Sequence, residues 1–304
     1  MTTAYVFPGQ GSQVVGMGGD WLGRSELVKR TFDEADDALG ESLSRIIAEG
    51  PIEELTRTQN ASPALVTVGV AYWRVLEAEG HAPDVVAGHS LGEYSALVCS
   101  GALEFGDAVR LTRLRGEAMQ NAVPVGVGTM AAIIGIKDPA VIDELCAEAA
   151  QGQVLEPSAY NTMGQVVIAG HVEAVDRACD LAKSYRGIAK KLNVSAPFHC
   201  SLLAPAGVRL GEALATATIS PLGVPYVPNV TAQWTPASTA DEIRERLVRQ
   251  VSTPVMWQQS MATMVEQGVD TWLEVGAGRT LCGLIKRFER KATASGFESE
   301  SWRS

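Results

Sequence analysis

The sequence predicts an α/β protein in which a larger domain, built on a mainly parallel sheet, is interrupted by a small unit of different design. Two observations carry this reading. Toward both ends of the chain, short apolar runs alternate with amphipathic stretches, the pattern of a parallel sheet covered by helices on both faces. Between residues 126 and 195 the rhythm changes to strand, helix, strand, strand, helix, strand, the βαββαβ order of a ferredoxin-like unit. A chain of 304 residues is long enough for two unequal domains.

Residues 3–7 read as a short buried strand, ended by the glycine-rich turn Pro8-Gly9-Gln10-Gly11-Ser12-Gln13, which can expose backbone N–H groups. Helical patterns follow over 21–39 and 64–79, and 83–87 is a second buried strand. Leu91, Tyr94, Leu97 and Val98 give the next stretch one apolar face, and a further helix is expected over 107–119. In the inserted unit, strands are expected over 129–136, 154–160, 165–169 and 189–194, with helices over 140–149 and 172–184. Residues 124–128 form the entry hinge and 195–197 the exit, so the domains are 1–125 plus 196–304, and 126–195. The larger domain resumes with helices over 201–217 and 240–251, a strand over 271–275, and a last helix from the Gly276-Ala277-Gly278 turn through Arg290.

Hydrophobic residues at 46% and charged residues at 20% describe a globular protein rather than a disordered or fibrous one. A formal net charge of -10 argues against a nucleic-acid partner, because phosphate binding depends on clustered Lys and Arg. The five cysteines are scattered, form no C-x-x-C pair, and read as reduced thiols of a cytoplasmic protein. The first thirteen residues have neither the charged nor the apolar region of a secretory leader, and apolar runs such as 131–134 are too short to span a bilayer. No membrane, metal or bound cofactor is expected.

The chemistry centres on Val85-Val86-Ala87-Gly88-His89-Ser90-Leu91-Gly92, where a strand runs through a Gly-x-Ser-x-Gly turn into a helix. In a nucleophile elbow the two glycines leave room for a sharp turn that lifts the serine hydroxyl above the sheet. An isolated Gly-x-Ser-x-Gly is often an ordinary turn, but the strand before it and the helix after it favour Ser90 as a nucleophile. A serine hydroxyl needs an adjacent base. His89 is a poor one, since consecutive side chains diverge on a tight elbow; a structural role, bonded to nearby backbone, suits it better. His81, in a loop, and His171, in a turn of the inserted unit, read as surface residues. His199 differs, because it stands in Ala196-Pro197-Phe198-His199-Cys200-Ser201, where the chain re-enters the larger domain and can face the elbow.

Five stretches occur in order: Phe7 to Gln13, Gly88 to Tyr94, Arg113-Leu114-Arg115-Gly116, Ala196 to Cys200, and Glu274-Val275-Gly276-Ala277-Gly278. Together they resemble the malonyl-CoA:acyl carrier protein transacylases and the related acyltransferases of polyketide synthesis, over nearly the whole chain from Tyr5 to about Arg290. The resemblance implies a hydrolase-like large domain, Ser90 as nucleophile and His199 as general base, oriented by the main-chain carbonyl of Gln250 rather than by a carboxylate. It assigns the oxyanion hole to the backbone N–H groups of Gln10 and Leu91, in keeping with two glycine-rich turns. Arg115 becomes the specificity residue, its guanidinium fork holding a substrate carboxylate through two parallel hydrogen bonds. Without the resemblance, Arg115 reads as a solvated arginine beside Arg110 and Arg113.

Phe198 is similarly placed to a bulky aromatic of malonyl-selective relatives, and Leu91 points the same way. A pocket excluding one methyl discriminates by only about 1 to 3 kcal/mol. Asn161 and Gln165 match a cleft-lining loop of the family, although by residue type alone they belong to a plain turn. Two departures are visible: Ala277 replaces a common proline, and Pro197-Phe198 differs from the small-residue version of many fatty-acid enzymes. The second leaves fatty-acid and polyketide supply both open.

The implied activity is ping-pong transfer of malonyl from malonyl-CoA to the phosphopantetheine thiol of an acyl carrier protein through malonyl-Ser90, by a monomer for which malonyl-CoA is substrate, not cofactor. Lys183, Arg186, Lys190 and Lys191, or Arg279, Lys286, Arg287 and Arg290, could dock an acidic carrier, though each group reads equally as a solvated face. A serine hydrolase or thioesterase with the same elbow is the alternative enzyme, and a carrier-binding scaffold without turnover the alternative of another class. The Gly9-Gln10-Gly11 turn lacks the lysine of a phosphate-binding loop.

Overall fold

The computed structural model describes residues 1–303, with nine strands in two sheets. The first sheet comprises β1 (Thr2–Phe7), β2 (Val85–Gly88), β7 (Tyr226–Val227), β8 (Val269–Glu274) and β9 (Thr293–Gly296). The remaining strands are β3 (Gly128–Ile134), β4 (Leu155–Thr162), β5 (Gln165–His171) and β6 (Ile188–Lys191). In the first sheet the order is β7-β2-β1-β8-β9, and every neighbouring pair of strands is parallel. Its central strands are buried over Ala4 to Phe7 and Val85 to Ala87, the continuous apolar run expected when helices cover both faces.

The second sheet is antiparallel, in the order β4-β5-β3-β6, with helix Pro139–Ala150 joining β3 to β4 and helix Val172–Leu181 joining β5 to β6. This is the ferredoxin-like arrangement, and all four of its strands fall between residues 128 and 191. Alternation along its strands feeds two cores. Ala131, Ile133 and Ile168 pack with Ile142, Leu145 and Val175 of the two helices, whereas Met130, Ala132, Val167 and Ala169 face the other way and join the main core. The small sheet is thereby held against the larger body by an apolar face.

Several boundaries differ from the periodicity reading. The helix expected over 21–39 is two helices, Gly19–Leu22 and Glu26–Leu39, broken where Ser25 takes an extended backbone. The helix expected from residue 64 begins at Thr58, ahead of Pro63. Pro63 is the sixth residue of this helix, just past the four N–H groups that lack an internal partner, so it forgoes one ladder bond near the helix start. Helices Leu43–Glu49, Ile52–Thr56 and Trp257–Glu266 and strands β7 and β9 carried no clear pattern, the strands because they are only two and four residues long.

The register Phe7↔Gly88 ends β1 and β2 side by side, so the turns that follow them meet at the carboxyl edge of the sheet, where open α/β sheets bind ligands. Contact there is close enough to exclude a Cβ. A methyl on Gly92 would lie 2.0 Å from the Phe7 carbonyl oxygen, and one on Gly88 would lie 1.9 Å from the Gly92 carbonyl carbon. Gly92→Ala is therefore expected to destabilise the fold by upwards of about 3 kcal/mol, since the obstacle is backbone rather than a flexible side chain. Urea unfolding of this variant beside Ser90→Ala checks it, and equal midpoints for the two would contradict the packing argument.

Candidate active site

The elbow holds Ser90 at φ 52°, the left-handed region, which costs a residue with a Cβ roughly 1 kcal/mol. Asn229 clamps it from below, accepting from the Ser90 N–H at 2.6 Å and donating through Nδ2 to the Gly88 carbonyl at 2.6 Å. The Ser90 hydroxyl lies 2.6 Å from Nε2 of His199, and His199 Nδ1 lies 2.7 Å from the Gln250 backbone carbonyl. A carbonyl only accepts, so the imidazole proton sits on Nδ1 and Nε2 presents its lone pair to the hydroxyl. Burial first, and the nearby Arg115 cation second, push His199 down to about 3. The ring is therefore neutral near pH 7, as an acceptor of the serine proton must be.

Arg115 projects from helix Phe105–Asn121 and is only 2% exposed. Its Nη2 donates to Gln250 Oε1 at 2.9 Å and to Ser90 Oγ at 3.2 Å, while its Nε has no partner. Among the described residues Arg115 forms no ion pair. Burial lowers its pKa, yet a guanidinium starts so high that it stays charged. A buried cation with unused donors and no partner anion has the chemistry to receive a carboxylate.

Ser90, His199 and Arg115 open onto a cleft of about 320 Å³ that Gln10, Leu91, Asn161 and Phe198 also line. It lies between the carboxyl edge of the parallel sheet and the apolar face of the small sheet, represented by Met130 and Val167. The backbone N–H groups of Gln10 and Leu91 find no acceptor among the described residues, in contrast to the Ser90 N–H held by Asn229. Phe198, 7% exposed, walls the cleft beside His199. Gln250 lies behind the cleft wall, 1% exposed, and serves with both its backbone and its side chain.

The His89 ring also reaches a side chain, its Nε2 donating to Asn161 Oδ1 at 2.8 Å, so Asn161 both lines the cleft and anchors the elbow's second residue. His171 accepts from the Val154 N–H at 3.0 Å, and His81 packs edge-on against Trp302. Two buried residues of the site escaped the sequence reading. Glu93 belongs to the elbow motif but gave no sign of its use, and Asn229 lies in an irregular stretch without periodicity. Of the basic groups, Lys191 pairs with Asp176, whereas Arg287 donates to Gln165, a residue of the cleft, at 3.1 Å.

Comparison with known proteins places the chain among characterised families. The profile of the acyl transferase domain family matches residues 4–295. The malonyl CoA-acyl carrier protein transacylase of Escherichia coli K12 is 49% identical over 302 residues, covering 98% of this chain and 96% of that protein. The corresponding Bacillus subtilis 168 protein is 43% identical over 95% of this chain and 90% of its own length. The solved structure of the Coxiella burnetii transacylase superposes with a TM-score of 0.95 at 43% identity, over 98% of this chain and 94% of that one. A malonyl-transacylase in complex with a type II polyketide synthase acyl-carrier protein reaches 0.94 at 45% identity, over 97% and 96% of the two chains. With an α/β fold, a serine elbow and matches over nearly its entire length, the chain belongs to the acyl transferase domain family.

Proposed function

We propose that this protein transfers a malonyl group from malonyl-CoA to the phosphopantetheine thiol of an acyl carrier protein, supplying fatty-acid or polyketide synthesis. The observation that carries the reading is the Arg115 cation, without a partner anion, set against a serine whose hydroxyl already points at a neutral imidazole. Ser90 Oγ attacks the thioester carbonyl as its proton passes to His199 Nε2. The Gln10 and Leu91 N–H groups receive the developing oxyanion. The tetrahedral species collapses, His199 returns the proton to the departing sulfur, and CoA leaves as its thiol. Malonyl-Ser90 remains, its free carboxylate on Arg115. The carrier thiol repeats the sequence in reverse, giving ping-pong kinetics.

Phe198 narrows the cleft beside the acyl carbons and Asn161 lines its wall, roles that favour malonyl over branched acyl groups. The division into residues 1–125 plus 196–304 and 126–195 belongs to the same reading, supported by the confinement of the antiparallel strands to 128–191. The protein needs no bound cofactor and works as a cytoplasmic monomer. In support, Ser90, His199, Arg115 and Gln250 lie on one chain, the five cysteines are free, and no described helix is long and apolar enough to cross a membrane. The carrier docks over the basic end of helix Thr280–Phe288, whose Leu281 and Leu284 line the cleft.

Intact-protein mass spectrometry after brief incubation with malonyl-CoA or acetyl-CoA tests the reading directly. A malonyl adduct is expected on wild type, absent from Ser90→Ala and slowed roughly 10- to 100-fold in Arg115→Ala, the worth of a hydrogen-bonded charge. Equal loading of acetyl and malonyl, or turnover of simple esters without a CoA-derived adduct, would favour the hydrolase instead. Because His199 is depressed to about 3, it stays unprotonated as pH falls below 6.5. The second-order rate of Ser90 acylation should accordingly be flat within about twofold from pH 8 to pH 5. An acid limb centred near 6.5 would show that His199 titrates as it does in water. For the carrier, Arg287→Glu is expected to raise the KM for carrier protein roughly fivefold, and more than that for malonyl-CoA, by placing like charge on an acidic partner. An equal change in both would move the docking surface elsewhere.

A further inference from the structure

Glu93 is a carboxylic acid only 1% exposed, joined to the backbone carbonyl of Ser90 by two hydrogen bonds through Gln250 and unused in the reaction described above. Its Oε2 accepts from Gln250 Nε2 at 2.7 Å and from the Asn229 N–H at 3.2 Å, while Oε1 has no partner. Burying a carboxyl in this way is costly unless it is put to use. The same Gln250 amide nitrogen donates to the Ser90 backbone carbonyl at 2.9 Å, and the amide oxygen accepts from Arg115 Nη2 at 2.9 Å.

We propose that Glu93 is the positioning residue for carboxylate selectivity: by holding the Gln250 amide nitrogen, it keeps the amide oxygen turned toward Arg115 and so aims the guanidinium at the cleft. This rests on the malonyl-transfer reading of the site. The geometry allows only one productive orientation of the amide. With Glu93 and the Ser90 carbonyl both accepting, the nitrogen is fixed on their side and the oxygen must face Arg115. Glu93 supplies one of the two acceptors that hold the nitrogen there; without it the amide is held by the Ser90 carbonyl and Arg115 alone, and an excursion to the flipped state forfeits both of those bonds and sets an NH₂ group against the guanidinium, donor to donor, displacing the fork. A direct Glu93–Arg115 ion pair would have occupied the donors that a substrate carboxylate needs. Interposing a neutral amide positions the cation and leaves them free.

The relay needs an acceptor at Oε2 rather than a full charge. Burial pushes Glu93 up to about 7, and a carboxyl protonated on its partnerless Oε1 still accepts at Oε2. A glutamine at position 93 can do the same with its amide oxygen.

The test compares rates of malonyl and acetyl loading from the two CoA esters, together with labelling of Ser90 by a neutral fluorophosphonate, which makes no demand on Arg115. In Glu93→Ala, the malonyl-to-acetyl ratio should fall about tenfold while fluorophosphonate labelling stays within about twofold. Glu93→Gln should restore most of the ratio. Glu93→Met, which fills the same space without an acceptor, should lose the ratio as Glu93→Ala does, and it carries the test if Glu93→Ala does not fold. An unchanged ratio in Glu93→Ala or Glu93→Met, a parallel fall in all three readouts, or a Glu93→Gln variant as indiscriminate as Glu93→Ala overturns the proposal. Failure of wild type to prefer malonyl would instead overturn the functional reading beneath it.

Discussion

Everything at the site depends on how closely two backbone segments meet at the carboxyl edge of the parallel sheet. Gly92 lies against the Phe7 carbonyl, Gly88 against Gly92, and a Cβ on Gly9 would come within 2.5 Å of the His89 carbonyl oxygen. No side chain longer than hydrogen fits at these contacts. The packing brings the turn after β1 beside the elbow after β2, so Gln10 and Leu91 line one cleft although eighty residues separate them. It also imposes the left-handed backbone of Ser90, which Asn229 then secures with a bond to either side. The strain is local and small beside the packing that maintains it.

Above this rigid base the polar groups converge on Gln250. Its backbone carbonyl sets the tautomer of His199, its amide oxygen meets Arg115, and its amide nitrogen bridges Ser90 and Glu93. One residue thus couples the His199 imidazole to the Arg115 guanidinium, and both stand in a region where burial dominates the proton equilibria. Histidine is driven toward neutrality, glutamic acid upward toward about 7, and only arginine keeps its charge because its pKa begins so high. A neutral carbonyl behind His199 suits such a place. A carboxylate in its place would be drawn to Arg115 and occupy the donors that the proposed reading leaves for the acyl group.

The small antiparallel sheet completes the cleft without supplying the nucleophile or its base. Because β3 and β5 are buried on both faces, their alternate residues serve two cores, and Met130 and Val167 form an apolar wall opposite the elbow. Phe198 and His199 lie on the segment by which the chain returns from that sheet. The joint between the two bodies therefore carries the imidazole, and its left-handed backbone at His199, φ 59°, belongs to the same tight construction.

Much of this was legible in the sequence, for physical reasons. Parallel strands buried on both faces must be apolar throughout, and a ferredoxin-like unit has a distinctive order of periods, so both sheets were foreseen. A strand–turn–helix with glycines flanking a serine has few uses, and a histidine at a domain crossover is well placed to reach it. Short strands such as β7 and β9 left no pattern, because two to four residues cannot display a period. Nothing local marks Asn229 or Glu93 as partners of the elbow, and nothing local distinguishes Arg115 from Arg110, which pairs with Asp107 at the surface. Hydrogen-bond partners and burial are properties of distant segments brought together. The sequence by itself determined the order of the longer strands, the elbow and its nucleophile candidate, and its resemblance to a family singled out Arg115 and Gln250; the tertiary structure alone decided that this arginine is buried without an anion and that this glutamine joins it to the histidine, because both depend on contacts more than fifty residues apart along the chain.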